Sequence, residues 1–308
     1  MKIPLRAAAV FFLPLICSPL SEITEPPPTA TASRTASVTA TSSATPAFTP
    51  TVAITAAPTV TEPPHFASDF SADLTLEETA VMEESASPDW WVNSGAWFVQ
   101  RSGVGSTWTG QSPEGSRWRA LYNLSNPRDT DRGAHPQNLF RLITRSLWFA
   151  PKQQIYFRIL ADNLSPSGNR NPSNGVLLFL RYSDGDNLYY AGIRVDGFAV
   201  VKKKTGGVYT TLAEAPLFLG TYDRVRQPNL IPHGVWIGLR AELTAGENAV
   251  TIQLYCDLDR SGFWVPALQA NDSFDPSLVP MQAGYAGIRT DFMDVEFDDY
   301  RIEELTFR

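Results

Sequence analysis

A chain of 308 residues, 43% hydrophobic and 19% charged, is long enough for one sizeable folded domain and too apolar to be disordered throughout. Its formal net charge of −7 gives no basic surface that would argue for nucleic acid or an anionic membrane as partner. Two cysteines exclude a disulfide framework, and the isolated His65, His135 and His233 exclude a zinc cluster of histidine and cysteine.

At the start, Lys2 and Arg6 precede an apolar stretch from Ala7 to Ile16, followed by Cys17-Ser18-Pro19. A charged lead and a short apolar run make a secretory signal peptide, read here as residues 1–21, with the rest exported to the cell surface or the extracellular space. The run falls short of the ~20 residues that span a bilayer, and no other segment reads as a transmembrane helix. Cys17 ends the apolar run and is a candidate lipid anchor, although Ile16 stands where lipoprotein signals usually carry a small residue. Residues 22–64 are rich in Thr, Ala and Pro, which cannot bury enough apolar surface to fold and reads as a disordered stalk. Residues 65–88 carry Asp69, Asp73, Glu77, Glu78, Glu83 and Glu84 without one Lys or Arg. They read as an acidic lead-in to a nearly neutral folded domain at 89–308.

Within 89–308, about ten short strand-like runs are punctuated by Gly, Pro, Asn and Asp, and no helical period lasts beyond a turn or two. Alternation is clear in Val235, Ile237, Leu239, Ala241 and Leu243, and again in Val250, Ile252, Leu254 and Cys256. That pattern predicts an all-β, two-sheet antiparallel sandwich. Cys256 falls on an inward face and reads as an inert buried thiol.

Ahead of the central strands, Arg141 alternates with Phe140 and Leu142 and therefore shares a face with Leu139 and Ile143. Read as the core side, that face makes the arginine need a carboxylate, from the protein or from a ligand. His135, Gln137 and Asn138 stand at the mouth of the same strand.

The most informative stretch runs from Val176 to Lys204: three apolar runs, 176–182, 188–195 and 198–204, divided by Ser183–Asn187 and by Asp196-Gly197. A two-residue Asp-Gly turn predicts a tight hairpin that pairs Val195 with Phe198, and hence Tyr189 with Lys204. Setting Tyr182 opposite Leu188 brings Arg181 opposite Tyr189. The result is a row Arg181–Tyr189–Lys204 with Lys202 on the same face, where an apolar sheet grades into a polar groove.

The segment Asp89-Trp90-Trp91-Val92-Asn93-Ser94-Gly95-Ala96-Trp97-Phe98-Val99 resembles the opening strands of concanavalin A-like jelly-roll domains of the laminin-G-like and bacterial glucanase-like type. Arg181-Tyr182-Ser183-Asp184, Asn187-Leu188-Tyr189-Tyr190 and Lys202–Lys204 are similar to that group's central hairpins. Gly287-Ile288-Arg289-Thr290 and Phe297-Asp298-Asp299-Tyr300-Arg301-Ile302 resemble its closing strands. The resemblance implies a jelly-roll sandwich and a carbohydrate partner, and it offers Asp299 as a ligand for a structural calcium. The glucanase signature Glu-x-Asp-x-x-Glu is incomplete, because Glu296-Phe297-Asp298 is followed by Arg301 at the last position.

These residues point to a monomeric glycan-binding module with Arg181, Tyr189, Lys204, Arg141, Gln137 and Lys202 as contacts. A polysaccharide lyase would instead use Tyr189 or His135 as base and acid, with Arg or Gln neutralising a uronate. A glycoside hydrolase on the same fold, or a non-catalytic structural surface module, are the remaining readings.

Overall fold

The structure, a computed structural model, describes residues 63–246, 248–273 and 283–305. The expected signal peptide, with Cys17, and nearly all of the stalk lie outside the described residues.

The described chain forms sixteen strands. In order these are β1 (His65–Ser68), β2 (Leu74–Glu77), β3 (Trp90–Ser94), β4 (Trp97–Arg101), β5 (Val104–Thr107), β6 (Arg141–Trp148), β7 (Pro151–Asp162) and β8 (Gly175–Asp184). Then come β9 (Asn187–Arg194), β10 (Phe198–Thr205), β11 (Val208–Pro216), β12 (Ile237–Ala245), β13 (Ala249–Asp257), β14 (Val265–Ser273), β15 (Gly284–Thr290) and β16 (Met293–Glu304). One helix, α1 (Arg117–Ser125), follows β5. A nine-stranded sheet has the order β14-β13-β12-β7-β16-β5-β4-β2, with β1 also on β16. A seven-stranded sheet has the order β11-β10-β9-β8-β15-β6-β3. The two antiparallel sheets make the jelly-roll sandwich that the alternating pattern predicts.

Period-two alternation builds the core, because every second residue faces the other sheet. Ile237, Leu239, Ala241 and Leu243 of β12 and Val250, Ile252, Leu254 and Cys256 of β13 are buried against Val176, Leu178, Leu180, Ala191 and Val201. The Cys256 thiol is pushed up to about 12 by burial, which fits the inert role expected of it. At one end, Trp90 packs edge-on to Tyr300, with ring centroids 4.7 Å apart, and to Phe66 at 5.3 Å.

Phe66 belongs to β1, and this corrects the domain boundary. Residues 65–88 are not a lead-in outside the fold. β1 pairs with β16, β2 pairs with β4, and Glu78 N–H and Thr79 N–H donate to the carbonyls of Ala96 and Val92. Their shortness concealed these strands, and of β2 only Leu76 is buried while the rest faces water. The helix α1 also escaped the sequence reading. It rests on two buried residues a turn apart, Trp118 and Tyr122, and on the Ser116 side chain capping the Arg119 N–H at 3.1 Å.

Candidate functional site

The hairpin between β9 and β10 turns through three residues, Val195, Asp196 and Gly197. Gly197, at φ 84°, donates its N–H to the Arg194 carbonyl at 2.9 Å. Val195 leaves the ladder because its side chain is buried in the core and its carbonyl accepts the Leu230 N–H at 2.7 Å. Tyr189 therefore stands opposite Lys203, and Tyr190 opposite Lys202. A slip of one residue moves every side chain to the other face. In β8 a bulge at Arg181, φ 50°, shifts the pairing from Leu180–Tyr189 to Asp184–Asn187. Together the turn and the bulge take the predicted row apart.

Tyr189 is a core residue with no exposed surface. Its hydroxyl donates to the Asp272 carboxylate, and the same oxygen accepts from Lys203 Nζ at 2.7 Å. Burial, and then Asp272, push its phenol far above the ordinary range, so it is no base at neutral pH. Arg181 is buried as well. Its Nε donates to the Phe149 carbonyl at 2.7 Å, and its guanidinium lies 4.5 Å over the Phe149 ring.

Lys204 is on the outer face of the sheet but is held by the Gly185 carbonyl at 2.7 Å and the Asp186 carboxylate at 2.9 Å. Gln137 is fully buried and ties the Gly110 carbonyl, at 2.7 Å, to Asp294 Oδ1, at 2.9 Å. His135 pairs with Asp131 at 2.9 Å and braces the loop after α1. Asp299 sits at the bulge of β16 and accepts from Arg260 at 2.9 Å. Among the described residues no three His, Cys, Asp or Glu side chains gather in a way that would hold a metal ion.

Arg141 and Lys202 survive as candidates, and the structure corrects the face assigned to Arg141. Phe140 and Leu142 face the core, whereas Arg141 shares the outer face of the seven-stranded sheet with Ile143. Two rows cross that face. One runs Arg141–Arg289–Leu177–Gly192–Val200–Glu214, the other Ile143–Gly287–Phe179–Tyr190–Lys202–Thr211. The floor of Ile143, Leu177, Phe179, Tyr190 and Val200 is buried, and cations surround it. An arginine, a tyrosine and a lysine do meet on a sheet face, but they are Arg289, Tyr190 and Lys202. Tyr190, not Tyr189, is the tyrosine on the outer face.

Arg289 is paired with Asp291 at 2.9 Å, and Arg194 with Asp196 and with Glu214, the latter at 2.7 Å. Arg141 and Lys202 differ. Both are half-buried, and neither has a hydrogen bond or ion pair among the described residues. Burial, and then the neighbouring Arg194, lower the Lys202 ammonium below its ordinary value.

Beside Arg141, a pocket of 340 Å³ opens between α1 and the end of β3. Glu78, Tyr122, Asn126 and Asp129 line it with Arg141. The Glu78 carboxylate accepts from the Tyr122 hydroxyl at 2.6 Å and from the Ala96 N–H at 2.8 Å. Burial raises the Glu78 carboxyl, against the lowering effect of those hydrogen bonds. Arg141 lines this pocket and also stands on the outer face of the sheet opposite Arg289, so it joins the two surfaces. Glu78 was missed because the sequence reading placed it outside the domain.

No protein-family model matches the chain, and no curated protein matches it by sequence. Solved structures resemble it at low identity. The carbohydrate-binding module CBM66 from Bacillus subtilis is 12% identical with a TM-score of 0.43, over 70% of this chain and 95% of that one. The winged bean acidic lectin complexed with methyl-alpha-D-galactose is 10% identical with a TM-score of 0.45, over 78% and 98%. The Bacillus licheniformis beta-glucanase is 9% identical with a TM-score of 0.41, over 79% and 98%. These are concanavalin A-like jelly-roll proteins, as the opening and closing strands of the sequence led one to expect.

Proposed function

We propose that the chain is an exported carbohydrate-binding module that presents the outer face of its seven-stranded sheet to an anionic polysaccharide. One observation carries this reading: among the described residues the side chains of Arg141 and Lys202 lack partners on a face where Arg194, Arg289 and Lys204 all have one. A half-buried cation has lost part of its hydration, and a carboxylate or hydroxyl of a ligand restores it. Arg141 is on β6 and Lys202 on β10, with β15, β9 and β8 between them. Four strand spacings put them roughly 19 Å apart, too far for one small anion and well suited to an extended chain. Half-exposed Trp91 and Tyr285 and exposed Tyr209 stand at the margin of the buried floor, where sugar rings would find aromatic contact.

Binding is favoured over catalysis on the same geometry. Retaining hydrolysis needs two free carboxylates across the scissile bond. On this face Asp196, Glu214 and Asp291 are each held by an arginine. Elimination needs a base beside the neutralising arginine, but burial raises both phenols near Arg141, Tyr122 and Tyr182.

Affinity electrophoresis of the secreted protein in gels containing polygalacturonate, alginate, xylan or barley β-glucan tests the proposal. A uronate polymer should retard the protein, and the double variant Arg141→Ala/Lys202→Ala should run free. Retardation by neutral polymers alone, unchanged in the double variant, would sink it.

A further inference from the structure

On the far side of the loop that walls the Arg141 pocket lies a second cavity, of 740 Å³, with a different character. Arg128 and Arg132 line it, facing the segment Pro166–Gly168. Neither guanidinium has a hydrogen bond or ion pair among the described residues.

The backbone that carries them is strained. Asp131, Arg132 and Gly133 take φ of 50°, 59° and 81° in succession. Non-glycine residues are disfavoured in that region, so two in a row need support from their surroundings. Gly133 has no alternative, since a Cβ there would lie 2.0 Å from the Arg119 carbonyl oxygen. Asp131 is braced by His135 at 2.9 Å and by the Ser165 hydroxyl at 2.6 Å, while Asp129 accepts from Ser167 and Asn169.

The opposite wall is held from behind by two further arginines. Arg224 donates to the carbonyls of Pro166 and Ser167, and Arg170 to the Ser165 carbonyl at 2.7 Å and the Arg224 carbonyl at 2.9 Å. Arg128 and Arg132 thus line the cavity with Asp131, and Asp129 and Asp162 are the other carboxylates of this region. The first two of these aspartates are spent on the brace, and Asp162 on Asn229 and His233.

We propose that this cavity binds a divalent oxyanion, phosphate or sulfate, free or carried as an ester, between the Arg128 and Arg132 guanidinia. Two unpaired planar donors match two negative charges, and such contacts are charge-assisted. The site is separate from the sheet face and does not depend on the carbohydrate reading.

Thermal unfolding of the full chain in sodium phosphate, sodium sulfate or sodium chloride at equal ionic strength tests the proposal. Phosphate or sulfate should raise Tm by about 2–4 °C over chloride when near saturation. Arg128→Ala/Arg132→Ala should abolish that rise, and both side chains are exposed enough for the variant to fold. Arg141→Ala/Lys202→Ala should retain it. Glucose 6-phosphate compared with inorganic phosphate distinguishes an ester from the free ion. Equal Tm in all three salts, or a rise that persists without the two arginines, overturns the proposal.

Discussion

The outer faces of the two sheets are both studded with cations, and they differ in which half-buried ones the fold leaves unpaired. On the nine-stranded sheet, Arg158 bonds Glu296 at 2.9 Å and lies 4.6 Å over Trp236. Arg260 bonds Asp299 at 2.9 Å and lies 5.0 Å from both Tyr156 and Trp236, while Arg240 bonds Gln154 at 2.8 Å and lies 4.1 Å over Trp264. Gly238 makes this packing feasible, because a Cβ there would sit 2.8 Å from the Trp264 ring. These three guanidinia are satisfied within the fold. On the seven-stranded sheet Arg141 and Lys202 are not. Arg301, on the nine-stranded side, also lacks a partner, but it is exposed and water solvates it. Burial without a partner, not the mere presence of cations, is therefore what distinguishes the sheet face proposed to bind carbohydrate.

That contrast is sharpened first at Asp257, which anchors the hairpin bearing Trp264. Its carboxylate accepts from the Tyr156 hydroxyl at 2.7 Å and from the N–H groups of Gly262 at 2.7 Å and Ser261 at 3.0 Å. Asp257→Ala should cost about 2–3 kcal/mol in urea unfolding, the loss of hydrogen bonds to a charged group. Burial alone would raise this carboxyl, but its hydrogen bonds outweigh that and hold it at about 2, below its usual 3.8. Its contribution is therefore present above pH 3.8 and lost as pH falls through about 2, and the variant should lack this part of the acid transition.

A smaller loss, about 1–2 kcal/mol, is expected for Arg260→Ala, which removes the stacking on Tyr156 and Trp236 and two partly exposed ion pairs. The smallest effect on stability belongs to the other face. Arg141→Ala and Lys202→Ala should each change unfolding free energy by less than about 0.5 kcal/mol, since neither side chain has a hydrogen-bond or ion-pair partner among the described residues to lose. A loss comparable to that of Arg260→Ala would erase the distinction between the faces.

The sandwich was legible because alternation in β12 and β13 is nearly unbroken, and burial enforces it. The short strands β1, β2 and β5 and the edge strand β14 were not, since each carries few buried residues and β14 contains Pro266. At the site, sequence chose the correct hairpins but not their register. Asp196-Gly197 reads as a two-residue turn, and only the tertiary pull of the core on Val195 makes it three. The bulge at Arg181 has no glycine to announce it. Both deviations move side chains by one position, which was enough to exchange Tyr190 for Tyr189 and to send Arg181 inside.

Calorimetric titration of the protein with polygalacturonate, at low and at physiological salt, tests the central claim most directly. Wild-type affinity should fall as salt rises, and Arg141→Ala/Lys202→Ala should weaken binding at least tenfold, about 1.4 kcal/mol or more, with an unchanged melting temperature. Arg301→Ala should change affinity less than about twofold, as a solvated surface charge. Equal affinity in wild type and the double variant would contradict the account.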